Sequence, residues 1–150
     1  MSEAYVVDTS VLIQPFIRDT ETRRALTILA RMRGDGDFTV NTFDFCLVEC
    51  ANVLWKRVRA GDVERDAAQR ALTNLLGLPL RLNPTTEVLP AALTIALDSQ
   101  LAVYDAVHIA LAQKLKLPLI TVDEQQKKTA LAVGVILKPI TDFPEFIAST

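Results

Sequence analysis

Short apolar runs alternate with longer segments of helical periodicity along this chain. Continuous apolar runs predict buried strands at 4–7, 38–40, 78–82, 117–122 and 135–137. Apolar positions that recur with the 3.6-residue period predict helices at 20–33, 44–59, 63–76, 86–99, 103–116 and 124–132, with a last turn or short helix at 141–147. Strands that alternate with helices predict an α/β fold, in which a mostly parallel sheet is covered on both faces.

Two acidic residues directly follow predicted strands. Asp8 follows the run 4–7, and Asp123 follows the run 117–122. Ligands of parallel sheets bind at the carboxyl ends of the strands, so we expect both carboxylates at one edge of the sheet. The alternative for each is a helix N-cap, because aspartate accepts hydrogen bonds from free helix N–H groups. Glu124 could cap the following helix instead and leave Asp123 free.

Two further acids lie on predicted helices. Asp105 lies near the start of the segment 103–116, among apolar residues, where a carboxylate needs a partner or a cation. It could also serve as a first-turn acid that complements the helix dipole. Glu49 lies inside the helix 44–59, and its role depends on which face of that helix it occupies.

The helix that carries Glu49 has two stripes by the 3.6-residue period. The core stripe is predicted to contain Leu47, Ala51, Leu54 and Val58, and the opposite stripe contains Glu49, Asn52 and Lys56. The opposite stripe faces either solvent or a cleft. In the cleft interpretation, Glu49 faces a metal ion, Asn52 orients Glu49, and Lys56 lies near a phosphate.

If the four acids converge, they would repel one another unless a divalent cation lay among them. Hard oxygen ligands favour Mg²⁺ or Mn²⁺. Ser10 and Thr121 are short hydroxyl residues beside two of these acids, and we expect them to orient a carboxylate or hold a water molecule. Ordinary capping or turn bonding is the alternative for both hydroxyls.

Composition narrows the classes of protein. A chain of 150 residues, half of them apolar, predicts a single domain over 1–150 that needs no disulfide. A net charge of −2 gives no general bias toward nucleic acid or membrane, so a polyanion would be held by a local patch or through metal. No apolar run reaches the ~20 residues that span a bilayer, and no secretory signal is evident.

The cysteines and the histidine are interpreted as packed side chains. Cys46 and Cys50 are four residues apart in a predicted helix, which is poor geometry for a disulfide. Buried reduced thiols predict a cytoplasmic setting. A zinc site would need more ligands than these two thiols and His108, which is expected to pack in its helix.

Basic residues form two clusters, for which a solvated helix face is the default interpretation. They are Arg18, Arg23, Arg24, Arg31 and Arg33 in one cluster and Lys56, Arg57, Arg59 and Arg65 in the other. Arg23 and Lys56 are the candidates for contact with phosphate, Lys56 because it shares a helix with Glu49.

Four segments of the chain together resemble a known family. VVDTSVLI, LVECANVLWKR, YDAVHIALAQ and LITVD occur in the order found in PIN-domain ribonucleases, and the sequence is similar in particular to the toxins of VapBC-type toxin–antitoxin pairs. The resemblance implies a PIN-like three-layer α/β/α fold with a mostly parallel central sheet of about five strands. It carries the family's metal acids onto Asp8, Glu49, Asp105 and Asp123, and its hydroxyls onto Ser10 and Thr121. Glu124 is a weaker candidate for a further acid.

The same resemblance implies a Mg²⁺- or Mn²⁺-dependent endoribonuclease that cleaves RNA through activated water. It also implies an antitoxin that masks the site and assembly as a homodimer. Two alternatives stay open: a PIN-like module that binds RNA or protein without cleavage, and a processing nuclease that is not a toxin. A phosphatase of the haloacid dehalogenase type is disfavoured because Ser10 stands where its second aspartate is needed.

Overall fold

A parallel sheet forms the centre of the molecule. The computed structural model describes residues 2–17 and 20–148. The strands within those ranges are β1 (Glu3–Val7), β2 (Phe38–Phe43), β3 (Arg81–Asn83) and β4 (Leu119–Ile120). They are ordered β3-β2-β1-β4 and every neighbouring pair is parallel. The predicted strand 135–137 is reduced to one parallel bridge between Leu137 and Leu119, which adds a minimal fifth member beside β4.

Helices connect and cover these strands. They are α1 (Thr9–Leu12), α2 (Thr22–Gly34), α3 (Phe45–Arg59), α4 (Arg65–Leu76), α5 (Leu89–Ser99), α6 (Val103–Leu115) and α7 (Glu124–Ala132). The strand predicted at 78–82 begins later than expected because residues 78–80 form the turn that closes α4. In that turn the N–H of Leu78 donates to the carbonyl of Leu75, and the N–H of Leu80 donates to the carbonyl of Leu78.

Helices lie on both faces of the sheet. Phe38 and Phe43 are five residues apart on β2, so their side chains point to opposite faces. The Phe38 ring lies 4.3 Å from the guanidinium carbon of Arg31 on α2. The Phe43 ring lies 4.5 Å from the ring of His108 on α6. The predicted three-layer α/β/α architecture is therefore confirmed.

The order of the strands places a switch point beside β1. The chain moves from β1 to β2 and β3 on one flank, and then crosses back to place β4 on the other. Val6 pairs with Leu119 and Val7 pairs with Ile120. The next residues on these two strands, Asp8 and Thr121, therefore meet at the carboxyl edge, where parallel sheets bind ligands.

Helix α6 is a core helix, whereas α3 differs from its predicted pattern. Residues 106–112 of α6 are all buried. On α3 the buried line is Cys46, Cys50 and Leu54, so the predicted core stripe was correct only at Leu54. Since α3 contacts α1, β2 and α4, apolar side chains on its other sides are also partly covered. A pattern of one core stripe and one opposite stripe is too simple for a helix that several other elements contact.

No single helix within the described ranges has the length and apolar composition to cross a membrane. Helices α5 and α6 meet that test only as a pair, and the pair is bent by 118°.

The burial of α6 leads to a stability prediction. Ile109 on α6 is fully buried, so Ile109→Ala should lower the free energy of unfolding by about 2–5 kcal/mol through lost burial and a residual cavity. Leu131→Ala is the matched control, because Leu131 on α7 is 63% exposed and should change stability by less than about 0.5 kcal/mol. Urea unfolding of both variants measures the difference, and equal losses would contradict the packing described.

Candidate metal centre at the carboxyl edge of the sheet

The carboxylate of Asp8 is fully buried at the end of β1. Its Oδ1 accepts hydrogen bonds from Ser10 Oγ at 2.7 Å and from the backbone N–H of Val11 at 3.2 Å. Its Oδ2 accepts a bond from Thr121 Oγ1 at 2.5 Å. Asp8 is thus the N-cap of α1, and the two hydroxyls hold its orientation across β1 and β4.

Asp123 and Asp8 are linked by hydrogen bonds to the same hydroxyl, that of Thr121. Thr121 Oγ1, which donates to Asp8, also accepts the backbone N–H of Asp123 at 3.0 Å. Asp123 Oδ1 accepts the backbone N–H of Gln126 at 2.8 Å, so Asp123 itself caps α7. One hydroxyl therefore positions both acids at the ends of the neighbouring strands.

The suggestion that Glu124 caps α7 was wrong. Its side chain is 86% exposed and its Oε1 accepts a hydrogen bond from Lys127 Nζ at 2.9 Å. An N-cap side chain reaches the N–H groups two or three residues ahead, whereas Glu124 already lies inside the first turn. Asp123 therefore caps α7 and is also one of the four candidate metal ligands.

Glu49 on α3 is held from two directions. Thr9 Oγ1 donates to Glu49 Oε1 at 3.1 Å, and His108 Nε2 lies 3.7 Å from the same oxygen. The Glu49 side chain is 19% exposed, so it lies in a partly closed position rather than on an open helix face. Asn52 is exposed and forms no hydrogen bond with Glu49 among the described residues, so Thr9 occupies the orienting position expected of Asn52.

Asp105 lies on α6 among the other three acids. Gln126 Nε2 donates to Asp105 Oδ1 at 3.2 Å. Burial raises the pKa of Asp105 above its ordinary value, and the negative charge of Asp123 raises it further. Asp8 and Glu49 act in the same direction, while His108 opposes them. The four predicted acids therefore share one electrostatic environment around Asp105.

Burial also raises the pKa of Asp8, against the lowering effects of His108 and of its own hydrogen bonds. Burial by itself would lower the pKa of His108, but the Glu49 and Asp8 carboxylates raise it above its ordinary value. His108 packs against Phe43, as expected of a packed histidine, and it is the nearest source of compensating positive charge.

The donor set fits a divalent cation. Within residues 2–17 and 20–148, no lysine or arginine forms an ion pair with any of these four acids. Carboxylate and hydroxyl oxygens are the ligands that Mg²⁺ and Mn²⁺ prefer. No three of the four acids, all of them described, bring ligand oxygens within 4.8 Å of one another, so the cluster is more open than a filled ligand shell.

The basic candidates lie outside this cluster. Lys56 is exposed on α3, two turns beyond Glu49, or roughly 10 Å along the helix axis. Arg23 is exposed on α2, on the sheet face opposite α6, and Arg18 lies outside the described residues.

Two residues that contact the acids were not predicted as site residues. Thr9 bonds Glu49, and the buried Gln126 bonds Asp105. Both have a signal in the sequence. Thr9 follows Asp8 directly, and Gln126 stands three residues after the cap Asp123, at the glutamine or glutamate position of a capping box.

A family profile described as PIN domain matches residues 5–131. The chain belongs to the PIN-domain family. It is 31% identical over 122 residues to Ribonuclease VapC3 of Pyrobaculum aerophilum, a match that covers 80% of this chain and 89% of the relative.

Solved structures show the same fold. The crystal structure of PAE2754 from Pyrobaculum aerophilum matches with a TM-score of 0.68 and 22% identity, over 95% of this chain and 94% of that one. VapBC2 from Rickettsia felis, solved with a DNA fragment from its promoter, matches with a TM-score of 0.62 and 15% identity, over 91% and 98%. The resemblance seen in the four sequence motifs is thereby confirmed at the level of family and fold.

The crowded acids of this PIN domain predict a stability gain on neutralisation. With EDTA present at pH 7, Asp105→Asn should raise the melting temperature by roughly 2–4 °C, the shift expected for about 1 kcal/mol. The folded state raises the pKa of Asp105 above its ordinary value of 3.8, so stability falls as pH rises through the raised pKa.

Thermal melts from pH 7 down to the ordinary pKa of 3.8 should therefore show the gap between wild type and Asp105→Asn shrinking as the pH falls. Asp98→Asn, which changes an exposed acid on α5, is the matched control and should leave the melting temperature unchanged. A difference in melting temperature that grows as the pH falls would contradict a raised pKa of Asp105.

Proposed function

We propose that this PIN-domain protein is a Mg²⁺- or Mn²⁺-dependent endoribonuclease that serves as the toxin of a VapBC-type toxin–antitoxin pair. The observation that carries the proposal is the convergence of Asp8, Glu49, Asp105 and Asp123 at the switch point, without a lysine or arginine partner among the described residues. The 31% identity to a protein named Ribonuclease VapC3, over most of both chains, supports RNA as the substrate.

The side chains of the site suit hydrolysis of a phosphodiester. A bound Mg²⁺ or Mn²⁺ would supply Lewis acidity to the phosphate and would acidify the attacking water. Asp8 would be the fixed ligand, since hydrogen bonds from Ser10 and Thr121 hold both of its oxygens. Glu49 and Asp105 are only partly buried, so they would face solvent and substrate.

Water is the expected nucleophile. The one histidine of the chain, His108, is 1% exposed and lies against Phe43 and Glu49, where it has no path to a substrate phosphate. His108 and Thr9 would act by holding Glu49 in place, and Gln126 would hold Asp105. Supporting bonds of this kind fix the direction in which ligand oxygens point.

The proposed partners follow from the charge and the apolar surface. An antitoxin that inserts a basic side chain among the four acids would supply the positive charge that the site lacks. On α5 the side chains of Leu89, Leu93 and Leu97 are exposed at four-residue intervals, which supports assembly of a homodimer through that helix. We also propose that residues 1–150 form a single domain. The buried free thiols of Cys46 and Cys50 support a location in the cytoplasm.

Cleavage of RNA by the purified protein tests the nuclease. Activity should require Mg²⁺ or Mn²⁺, stop in EDTA, and fall by at least about 100-fold in Asp8→Asn, because the variant loses a fixed charged ligand. Asp98→Asn on α5 should cleave like wild type, and circular dichroism should show both variants folded. Full cleavage by folded Asp8→Asn would contradict the mechanism. Metal binding without cleavage would point to a very narrow RNA target or a retained antitoxin, whereas the absence of both cleavage and metal binding would favour the binding-module alternative.

A second test concerns the helix that carries Glu49. Lys56→Ala should weaken RNA binding measured in EDTA and should reduce the salt dependence by about one counterion, without changing Mn²⁺ affinity. Arg23→Ala is the comparison, since α2 covers the other face of the sheet. Unchanged RNA affinity in Lys56→Ala would remove α3 from the proposed RNA path.

A further inference from the structure

Behind the four acids, Glu49 also takes part in a second cluster. Cys46, Glu49 and His108 each place one potential ligand atom within 4.8 Å of the other two. Cys46 lies one helical turn before Glu49 on α3, and His108 reaches the cluster from α6. In the sequence, two cysteines and one histidine were too few ligands for a zinc site. In the folded protein, the carboxylate of Glu49 lies close to the thiol of Cys46 and the imidazole of His108.

The chemistry of this second cluster differs from that of the acidic centre. A thiolate sulfur, an imidazole nitrogen and one carboxylate oxygen form a donor set typical of Zn²⁺ and poorly suited to Mg²⁺. We propose that Cys46, Glu49 and His108 form a binding site for Zn²⁺ or a similar transition-metal ion, which shares Glu49 with the acidic centre.

The state of His108 is an independent reason for this proposal. The ring is buried, and its Nδ1 has no hydrogen-bond partner within the described part of the chain. Its Nε2 lies 3.7 Å from Glu49 Oε1, beyond ordinary hydrogen-bond length. An ion in the cluster would give Nε2 a close partner in place of this long contact with Glu49.

The neighbour Thr9 supports both of the other ligands. Its hydroxyl lies 3.3 Å from Cys46 Sγ and donates to Glu49 Oε1 at 3.1 Å. Groups in this position fix the direction of metal ligands. Three protein ligands would leave a fourth position open, on the partly exposed side of Glu49.

Occupation would have two chemical consequences. The Cys46 thiol and the protonated His108 ring would each release a proton to solvent as the ion binds, because a thiolate and a neutral imidazole are the ligands. Glu49 would be withdrawn from the acidic centre, so Zn²⁺ would oppose activity supported by Mn²⁺. This second consequence rests on the proposed function, whereas the binding site itself does not.

Co²⁺ is the probe that tests the site directly. Metal-free wild type should bind one equivalent of Co²⁺ with a near-ultraviolet thiolate-to-cobalt charge-transfer band, which Zn²⁺ removes and Mg²⁺ does not. Cys46→Ser should lose the band and bind Zn²⁺ more than about tenfold more weakly. Cys50→Ser is the matched control, because Cys50 is a buried thiol on the same helix but lies outside the cluster, and it should keep the band.

Several results would contradict the proposed metal site. No band in wild type, a band retained in Cys46→Ser, or equal loss in folded Cys46→Ser and folded Cys50→Ser would each overturn the site. If Cys46→Ser does not fold, as judged by circular dichroism, His108→Asn replaces it, and an undiminished thiolate-to-cobalt band in that variant would also overturn the site. Because these readouts need no RNA, they stand whether or not the protein proves to be a nuclease.

Inhibition is then measured separately. Zn²⁺ should suppress Mn²⁺-supported cleavage in wild type and Cys50→Ser but not in Cys46→Ser. Equal suppression in all three proteins, with Co²⁺ binding as expected, would refute the competition for Glu49 and leave the site in place.

Discussion

Burial of the Asp8 carboxylate between the ends of β1 and β4 removes its contact with water, which would be costly without compensating bonds. Ser10, Val11 and Thr121 supply those bonds from the start of α1 and the end of β4. The same Thr121 hydroxyl accepts the N–H of Asp123. The position of one acid therefore determines the orientation of the next, and the whole acidic edge depends on this small network.

These hydrogen bonds fix the orientation of the Asp8 and Asp123 side chains, but they do not neutralise the negative charge of the four acids. Burial raises the pKa of Asp105, the surrounding carboxylates raise it further because they repel its ionised form, and His108 acts in the opposite direction. A domain that gathers acids in this way gives up stability for the capacity to bind a cation, and any ion that binds the folded state restores it by mass action. Binding of such an ion would be thermodynamically linked to folding.

Much of this edge could be predicted from the sequence, because strand ends in a parallel sheet share one edge. That rule placed Asp8 and Asp123 together without reference to any homologue. Helical periodicity could not decide whether Glu49 faces solvent or a cleft. It separates the core face of a helix from the opposite face, but it does not show which other elements cover part of that opposite face. Here Thr9 and His108 approach Glu49, while Asn52 on the same stripe stays exposed. Such contacts depend on tertiary placement, which no local pattern encodes.

The sequence separation across the central strands has a consequence for the nascent chain. Asp8 and Thr121 are 113 residues apart, yet the hydroxyl of one holds the carboxylate of the other. A polypeptide still emerging from the ribosome can pair β1 with β2 and β3, but it lacks β4, so one flank of Asp8 stays open to water. Asp105 and Asp123 also emerge late. The acidic centre can therefore assemble only after residue 123 has been synthesised, and a product truncated before that residue would carry no complete centre.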